Sequence, residues 1–350
     1  MKTEILQIDP QNIDMERMGH AACVIKSGGL VAFPTETVYG LGANALDQQA
    51  VKNIFEAKGR PADNPLIVHI AGKDTVKDLV SLLPPEFDRL ADKFWPGPLT
   101  LIMPKSNKVP QLITAGLDTV AVRMPSHPVA LALIRLSGLP IAAPSANTSG
   151  RPSPTVAGHV IEDLMGKVDI IIDAGSTSVG LESTVLDLTS HPPVILRPGG
   201  TTYEQLKGEL KEVSIETALN LDTTQMNAPK SPGMKYTHYS PKAQVIIVEG
   251  NITAVVNKVN MMIRQYSLEG INAGVLATEQ TKGLYNFDNV ISLGDRNHPE
   301  SIASSLFRSL RELDRKNVDV ILAESIDNNG IGLAIMNRLN KAAGYNIIKA

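Results

Sequence analysis

The chain is predicted to be an α/β protein of two domains. Three observations predict this: its length of 350 residues, an alternation of short apolar runs with stretches of helical spacing, and Gly and Pro at the joints. A chain this long exceeds the usual single domain and can bury at least one full core. Strand-like and helix-like segments also take turns in both halves, which favours α/β folding over an all-helical arrangement.

Taken in order, Leu30-Val31-Ala32-Phe33 reads as a buried strand that ends at Pro34. Residues 48–57 have helical character, with Val51, Ile54 and Phe55 spaced to face a core. That helix delivers the chain to Lys58-Gly59-Arg60-Pro61, so the basic pair is expected just past a helix end. Leu66-Ile67-Val68-His69-Ile70, Leu99-Thr100-Leu101-Ile102-Met103 and Val120-Ala121-Val122-Arg123-Met124 follow as strands. Pro140-Ile141-Ala142-Ala143 leads into Pro144-Ser145-Ala146-Asn147, and Asp169-Ile170-Ile171-Ile172-Asp173 leads into Ala174-Gly175. Such strand exits are where open α/β sheets place ligand-binding groups, because loops vary while the sheet fixes their origin.

The first domain is expected over residues 14–200, closing near Val194-Ile195-Leu196-Arg197-Pro198-Gly199-Gly200. Residues 201–241 read as a linker with a short helical patch, a polar turn-rich tract at 220–230 and then Ser231-Pro232-Gly233. A second, smaller α/β domain is expected over residues 242–350. Its strands are Gln244-Val245-Ile246-Ile247-Val248, Ala273-Gly274-Val275-Leu276-Ala277 and Val318-Asp319-Val320-Ile321-Leu322. Val255, Val259, Met262 and Ile263 mark one helix between them, and Ile302, Leu306, Leu310 and Leu313 mark another.

Composition excludes several classes. No apolar run reaches the roughly eighteen residues that span a bilayer, so no membrane insertion is expected. The N-terminal residues carry acids and lack the basic start and small-residue cleavage site of a signal peptide, which points to the cytoplasm. Cys23 is the single cysteine, which rules out intramolecular disulfides and multi-cysteine zinc sites. Its neighbours Ala21, Ala22, Val24 and Ile25 predict that it is buried. A net charge of −3 gives no global attraction to nucleic acid or to an acidic membrane surface, so any anion site is local.

No Gly-rich loop followed by Lys and Ser or Thr is present, and Gly40-Leu41-Gly42 alone is a weak nucleotide signal. Lys58 and Arg60 flank a glycine that lets backbone approach a ligand, and their charges suit a polyphosphate. Ser145 and Asn147, continued by Ser149, Ser153 and Thr155, offer hydroxyl and amide groups suited to ATP oxygens or to holding a turn. Arg123 lies in an otherwise apolar strand and must pair with either a substrate carboxylate or an internal acid. His69, inside its own apolar strand, reads as a satisfied core histidine, and Thr37 as a turn residue or a ligand contact.

Residues 34–42, Lys58-Gly59-Arg60-Pro61, Asn64-Pro65-Leu66, Ser145-Ala146-Asn147 and Ser149-Gly150 follow one another as in the YrdC-like family. The first 200 residues resemble its catalytic domain, and residues 231–239 resemble the linker of its longer, two-domain members. The resemblance implies a twisted mixed-sheet YrdC-like domain followed by a smaller Rossmann-like α/β domain. It also implies an L-threonylcarbamoyladenylate synthase activity, a nucleotidyl transfer. L-threonine, bicarbonate and ATP would give threonylcarbamoyl-AMP and pyrophosphate, and downstream threonylcarbamoyl-transferase proteins would use the product to make t6A in tRNA.

By the same resemblance Lys58, Arg60, Ser145 and Asn147 form a signature tetrad that holds the triphosphate and acts in catalysis. Asn64, Thr119, Thr155, Arg197 and Tyr236 join them around ATP, and Thr37, His69, Arg123 and Ser183 surround threonine. Mg²⁺ would accompany ATP, with no protein ligand indicated. Gly233 beside Pro232 suggests a hinge that lets Tyr236, His238 and Tyr239 fold over the nucleotide.

Two other classes compete. An RNA-binding module could use Lys58, Arg60, Arg123, Arg151 and Arg197 as a basic surface, yet aromatics are 4% and no basic and aromatic stripe is present. A carbamoyl-transfer enzyme of the hydrogenase-maturation type would need zinc-finger-like segments, which one cysteine cannot build.

Overall fold

The computed structural model describes residues 2–216 and 239–350. The described residues form two compact units, one of residues 2–149 with 153–216 and one of residues 150–152 with 239–350. Tyr236 and most of the expected 231–239 lid lie outside the described residues.

The first unit is built on an 11-stranded sheet. Its strands are β1 (Glu4–Gln7), β2 (Val31–Pro34), β3 (Tyr39–Asn44), β4 (Ile67–His69), β5 (Leu99–Pro104) and β6 (Thr119–Arg123). They continue with β7 (Ile141–Ala142), β8 (Ile170–Asp173), β9 (Thr184–Asp187), β10 (Val194–Arg197) and β11 (Ser214–Ile215). The spatial order is β1-β8-β2-β3-β7-β4-β6-β5-β9-β10-β11, with parallel pairs such as β4 with β6 and antiparallel pairs such as β5 with β6.

Most residues of β2 to β5 are buried, which explains why they read as continuous apolar runs rather than as alternating patterns. One cluster packs Leu41, Val51, Ile54, Leu101 and Val122 together, and a second joins Met18, Ile25, Phe33, Leu133 and Ile172. The helix Met15–Lys26 starts where the Asp14 side chain accepts from the backbone N–H groups of Glu16 and Arg17. Its buried face is Met18, Ala21, Ala22 and Ile25, so Cys23, expected to be buried, projects from the opposite side and is exposed.

The helix Gln48–Lys58 is capped by Asp47 and stopped by Gly59 at φ 60°, the left-handed conformation glycine adopts most easily. Lys58 is therefore the last helical residue and is buried, not a loop residue past the helix end. Two segments outside 14–200 also belong to this sheet. β1 pairs with β8, and the helix Tyr203–Glu209 leads into β11, which pairs with β10. Leu206 and Leu210 join the first core cluster, so residues 201–216, expected to open the linker, are part of this unit.

The second unit holds a five-stranded sheet of β12 (Gln244–Glu249), β13 (Ala273–Ala277), β14 (Val290–Ser292), β15 (Val320–Glu324) and β16 (Ile347–Lys349). Its order is β14-β13-β15-β12-β16 and every pairing is parallel. Parallel neighbours need crossovers, supplied here by the helices Ile252–Glu269, Pro299–Arg315 and Gly332–Ala342, so the unit is Rossmann-like. Glu324, fully buried at the end of β15, accepts from Tyr285 Oη at 2.6 Å and Arg296 Nη2 at 2.7 Å. Among the described residues no helix is long and apolar enough to cross a membrane.

Candidate active site

β4 and β6 run parallel with Ile67 opposite Ala121 and His69 opposite Arg123. This register sends His69 and Arg123 to one end of the strand pair. Thr119 starts β6, and Asn64-Pro65 precedes β4, at the other end, about 13 Å away at the usual strand rise.

Arg123 is the centre of the first end. It is buried, and its guanidinium donates from Nη2 to Glu36 Oε1 at 2.6 Å, from Nη1 to Thr37 Oγ1 at 2.9 Å and from Nε to the Gly97 carbonyl at 3.2 Å. Of the two partners the sequence left open for this arginine, the internal acid is present and is Glu36. Thr37 is held in turn by a 2.7 Å hydrogen bond between its hydroxyl and that of Thr35.

His69 is a register neighbour of Arg123 and meets the Phe33 ring edge-on, with centroids 6.4 Å apart. Burial, reinforced by the charge of Arg123, lowers its pKa to about 3, so the imidazole is neutral at physiological pH. Its Nδ1 is buried without a close hydrogen-bond partner, although the backbone carbonyls of Ile67 and Ile141 lie near the ring and oppose part of the pKa shift.

Ser183 precedes β9 and is buried, its hydroxyl 2.8 Å from Thr100 Oγ1 and accepting from Arg197 Nη2 at 3.2 Å. Arg197 Nε also donates to the Ser183 carbonyl at 3.1 Å. Because Thr100 lies opposite Arg123 on β5, Ser183 reaches the stretch of sheet that holds His69 and Arg123, and Thr37 reaches it from the β2–β3 turn through its bond to Arg123. Arg197, expected at ATP, meets Ser183 directly. Close packing fixes this corner, since a Cβ on Gly199 would lie 2.3 Å from the Glu182 carbonyl oxygen.

The tetrad divides. Lys58 Nζ donates to the carbonyls of Ser145 and Asn147, both at 2.5 Å, and the Lys58 carbonyl accepts from Ser149 N at 3.0 Å. Ser145 Oγ donates to Asn147 Oδ1 at 2.5 Å, and the loop is seated on β3 by a bridge between Gly40 and Ser145. Lys58, Ser145 and Asn147 thus form one hydrogen-bonded cluster in which the ammonium closes the loop. Arg60 instead lays Nη2 on the carbonyls of Asn64 and Pro65, at 3.2 and 3.3 Å. Asn64 is fully buried, and neither its Oδ1 nor its Nδ2 has a hydrogen-bond partner. Thr155 is buried, its N–H 3.3 Å from His159 Nδ1, beside Pro154, whose carbonyl accepts from Tyr39 N.

Three residues at the site were not singled out from the sequence. Glu36 stands inside the 34–42 run, 87 residues from Arg123, so the only available signal was that a buried arginine calls for an acid of some kind. Tyr39 donates its hydroxyl to the Gly175 carbonyl at 2.6 Å, with burial pushing its pKa up. Glu182 accepts from Ser153 Oγ at 2.5 Å and had no sequence signal beyond standing next to Ser183. Among the described residues no cluster of three or more His, Cys, Asp or Glu side chains could hold a metal ion.

The first unit is a mixed sheet that carries the buried arginines Arg123 and Arg197 and the unpartnered amide of Asn64 at its strand ends. Residues 23–199 match the family described as Telomere recombination (Sua5, YciO and YrdC), and residues 201–344 match the threonylcarbamoyl-AMP synthase C-terminal domain. The chain belongs to the threonylcarbamoyl-AMP synthase family, whose members are enzymes of nucleotidyl transfer. It is 55% identical over 342 residues to the threonylcarbamoyl-AMP synthase of Pyrococcus abyssi, covering 97% of each chain. It is 50% identical over 347 residues to that of Bacillus subtilis, covering 99% of this chain and 96% of the relative. The crystal structure of P. abyssi Sua5 complexed with L-threonine superposes with a TM-score of 0.95 at 54% identity, covering 99% of this chain and 100% of that one. These matches favour the enzyme over the RNA-binding module.

Proposed function

We propose that this chain condenses L-threonine, bicarbonate and ATP to threonylcarbamoyl-AMP and pyrophosphate, with threonine at the Arg123 end of the β4–β6 pair and ATP toward Asn64 and Thr119. The observation that carries the reading is the whole-chain similarity to a Sua5 structure holding L-threonine. The orphaned polar atoms of His69 and Asn64, at opposite ends of the strand pair, support the two-ended arrangement.

The chemistry fits a site without a protein nucleophile. The threonine amine adds to carbon dioxide with loss of a proton, or to bicarbonate with loss of water, to give a carbamate. A carbamate oxygen then attacks the α-phosphorus of ATP, the bond from that phosphorus to the bridging oxygen breaks, and pyrophosphate leaves with the electron pair. The protein's tasks are positioning and charge neutralisation. Arg123 receives the threonine carboxylate. Thr37 and Ser183 present hydroxyls beside it, and His69, neutral and with Nδ1 unpartnered, provides a hydrogen bond without adding charge. Asn64, Thr119 and Thr155 hold the nucleotide, and Arg197, bonded to Ser183 on the threonine side, reaches it from there. Lys58 shapes the Ser145–Asn147 loop that, with Arg60, receives the phosphates.

Mg²⁺ enters as part of the substrate, carried on phosphate oxygens of ATP. The catalytic domain proposed for residues 14–200 is enlarged by β1 and by the segment through β11. The product passes, in the cytoplasm, to threonylcarbamoyl-transferase proteins that act on tRNA.

The test is pyrophosphate release and formation of the AMP adduct with and without threonine. Wild type is expected to need threonine and bicarbonate, and Lys58→Ala and Arg60→Ala to lose at least about tenfold in kcat/KM. Pyrophosphate release at the same rate without threonine overturns the reading.

A further inference from the structure

Glu36 is a buried carboxylate that none of the steps above uses, yet it is tied to the threonine end from several directions. Oε1 accepts from Arg123 Nη2 at 2.6 Å, and Oε2 accepts from the Ser126 N–H at 3.1 Å. Its main-chain carbonyl accepts from Val179 N at 2.8 Å and from Ser178 Oγ at 3.4 Å, on the segment that runs toward Ser183. The adjoining residue, Thr37, accepts from the other terminal nitrogen of the same arginine.

A buried ion pair is a weak source of net stability, because desolvation offsets most of the attraction. What the pair does supply is orientation. The guanidinium is fixed through Nε, Nη1 and Nη2, and it donates no further hydrogen bond among the described residues. One N–H on each terminal nitrogen is thus left for a ligand. The pair also sets charge. With Glu36 ionised, Arg123 and Glu36 sum to zero, which suits an amino-acid zwitterion and disfavours a polyanion that brings no cation of its own.

We propose that Glu36 is a positioning and specificity-determining residue for threonine. It orients Arg123 toward the α-carboxylate, and its negative charge keeps phosphate-like anions out of the amino-acid end of a site that must hold ATP close by. This rests on the assignment of Arg123 to the threonine carboxylate.

The test is steady-state kinetics on the full chain, with threonine varied at saturating ATP and bicarbonate, in the presence and absence of inorganic sulfate as a probe anion. Glu36→Gln is expected to raise KM for threonine by about tenfold or more while KM for ATP stays within about twofold. Sulfate is expected to become a competitive inhibitor against threonine in that variant, with an inhibition constant at least about fivefold below that of wild type. A threonine KM within about twofold of wild type overturns the proposal, as does a joint rise of both KM values with unchanged sulfate inhibition. Should Glu36→Gln fail to fold, Glu36→Asp keeps the charge and shifts the contact. It is expected to raise the threonine KM while retaining sulfate resistance, and loss of that resistance overturns the proposal. Arg123→Lys separates the two assignments. An unchanged threonine KM in Arg123→Lys defeats the placement of the carboxylate itself, whereas a raised KM there with none in Glu36→Gln defeats only the role of Glu36.

Discussion

His69 and Arg123 are register partners on the parallel strands β4 and β6, and both are 3% exposed. A permanent cation thus lies beside an imidazole in a buried setting. The imidazole stays neutral, and its Nδ1, with no close partner, is left as a hydrogen-bonding group that carries no charge.

That relationship predicts a pH dependence of stability. Burial first, and Arg123 second, lower the His69 pKa from 6.5 to about 3 in the folded chain. Between those values the unfolded chain binds a proton at His69 that the folded chain does not. The stability held by this residue is therefore fully present above about pH 6.5 and declines as pH falls toward 3. Urea unfolding of wild type and His69→Asn at several pH values between about 4 and 6.5 should show a shallower slope for the variant. Identical slopes would mean that His69 titrates normally.

Asn64 should separate stability from activity. Its amide is fully buried with both polar atoms unpartnered, a desolvation cost of about 1–3 kcal/mol unless a ligand supplies partners. Asn64→Leu is expected to leave the melting temperature unchanged or raised, and to raise KM for ATP by about tenfold or more. A large loss of stability with normal ATP kinetics would show that the amide serves the fold.

Gly199 should tolerate no side chain. A Cβ there would lie 2.3 Å from the Glu182 carbonyl oxygen and 2.4 Å from both Ser183 C and Thr184 N, all backbone atoms that cannot give way cheaply. Gly199→Ala is expected to displace Ser183 and cut kcat/KM for threonine by about tenfold or more. Gly158→Ala is the control. It lies in the helix Ala157–Leu164 with nothing within 4 Å of the added Cβ, and should stabilise by about 0.5–1 kcal/mol at unchanged activity.

Glu324 predicts the behaviour of the second unit. Replacing it with alanine leaves Arg296 with an unpaired charge and removes the acceptor of the Tyr285 hydroxyl. A loss of about 3–5 kcal/mol is expected in denaturant unfolding. Glu324→Ala with wild-type stability would show that solvent reaches and satisfies Arg296.

The interior strands of both units were legible because burial makes them continuous apolar runs, and Asp47 and Gly59 bound a helix recognisable by its spacing. The sheet edges were not. β1 has three of four residues exposed, and β11 is two residues long with neither buried, so apolar pattern could not mark them. Cys23 was misjudged because apolar neighbours in sequence say nothing of helix phase, and its face points away from the core. The internal partner of Arg123 could be anticipated as a type but not as Glu36, which is 87 residues away and is brought to it by the fold of the sheet. Likewise, that Lys58 closes the Ser145–Asn147 loop through its carbonyls depends on a contact spanning 87 to 89 residues.

The most direct measurement is a crystal structure of this enzyme with L-threonine and a non-hydrolysable ATP analogue. The expected result is a threonine carboxylate within hydrogen-bond distance of Arg123 Nη1 and Nη2, with the nucleotide reaching Asn64 and its phosphates at Arg60 and the Ser145–Asn147 loop. Phosphates on Arg123, or threonine lodged beside Asn64, would contradict the two-ended site.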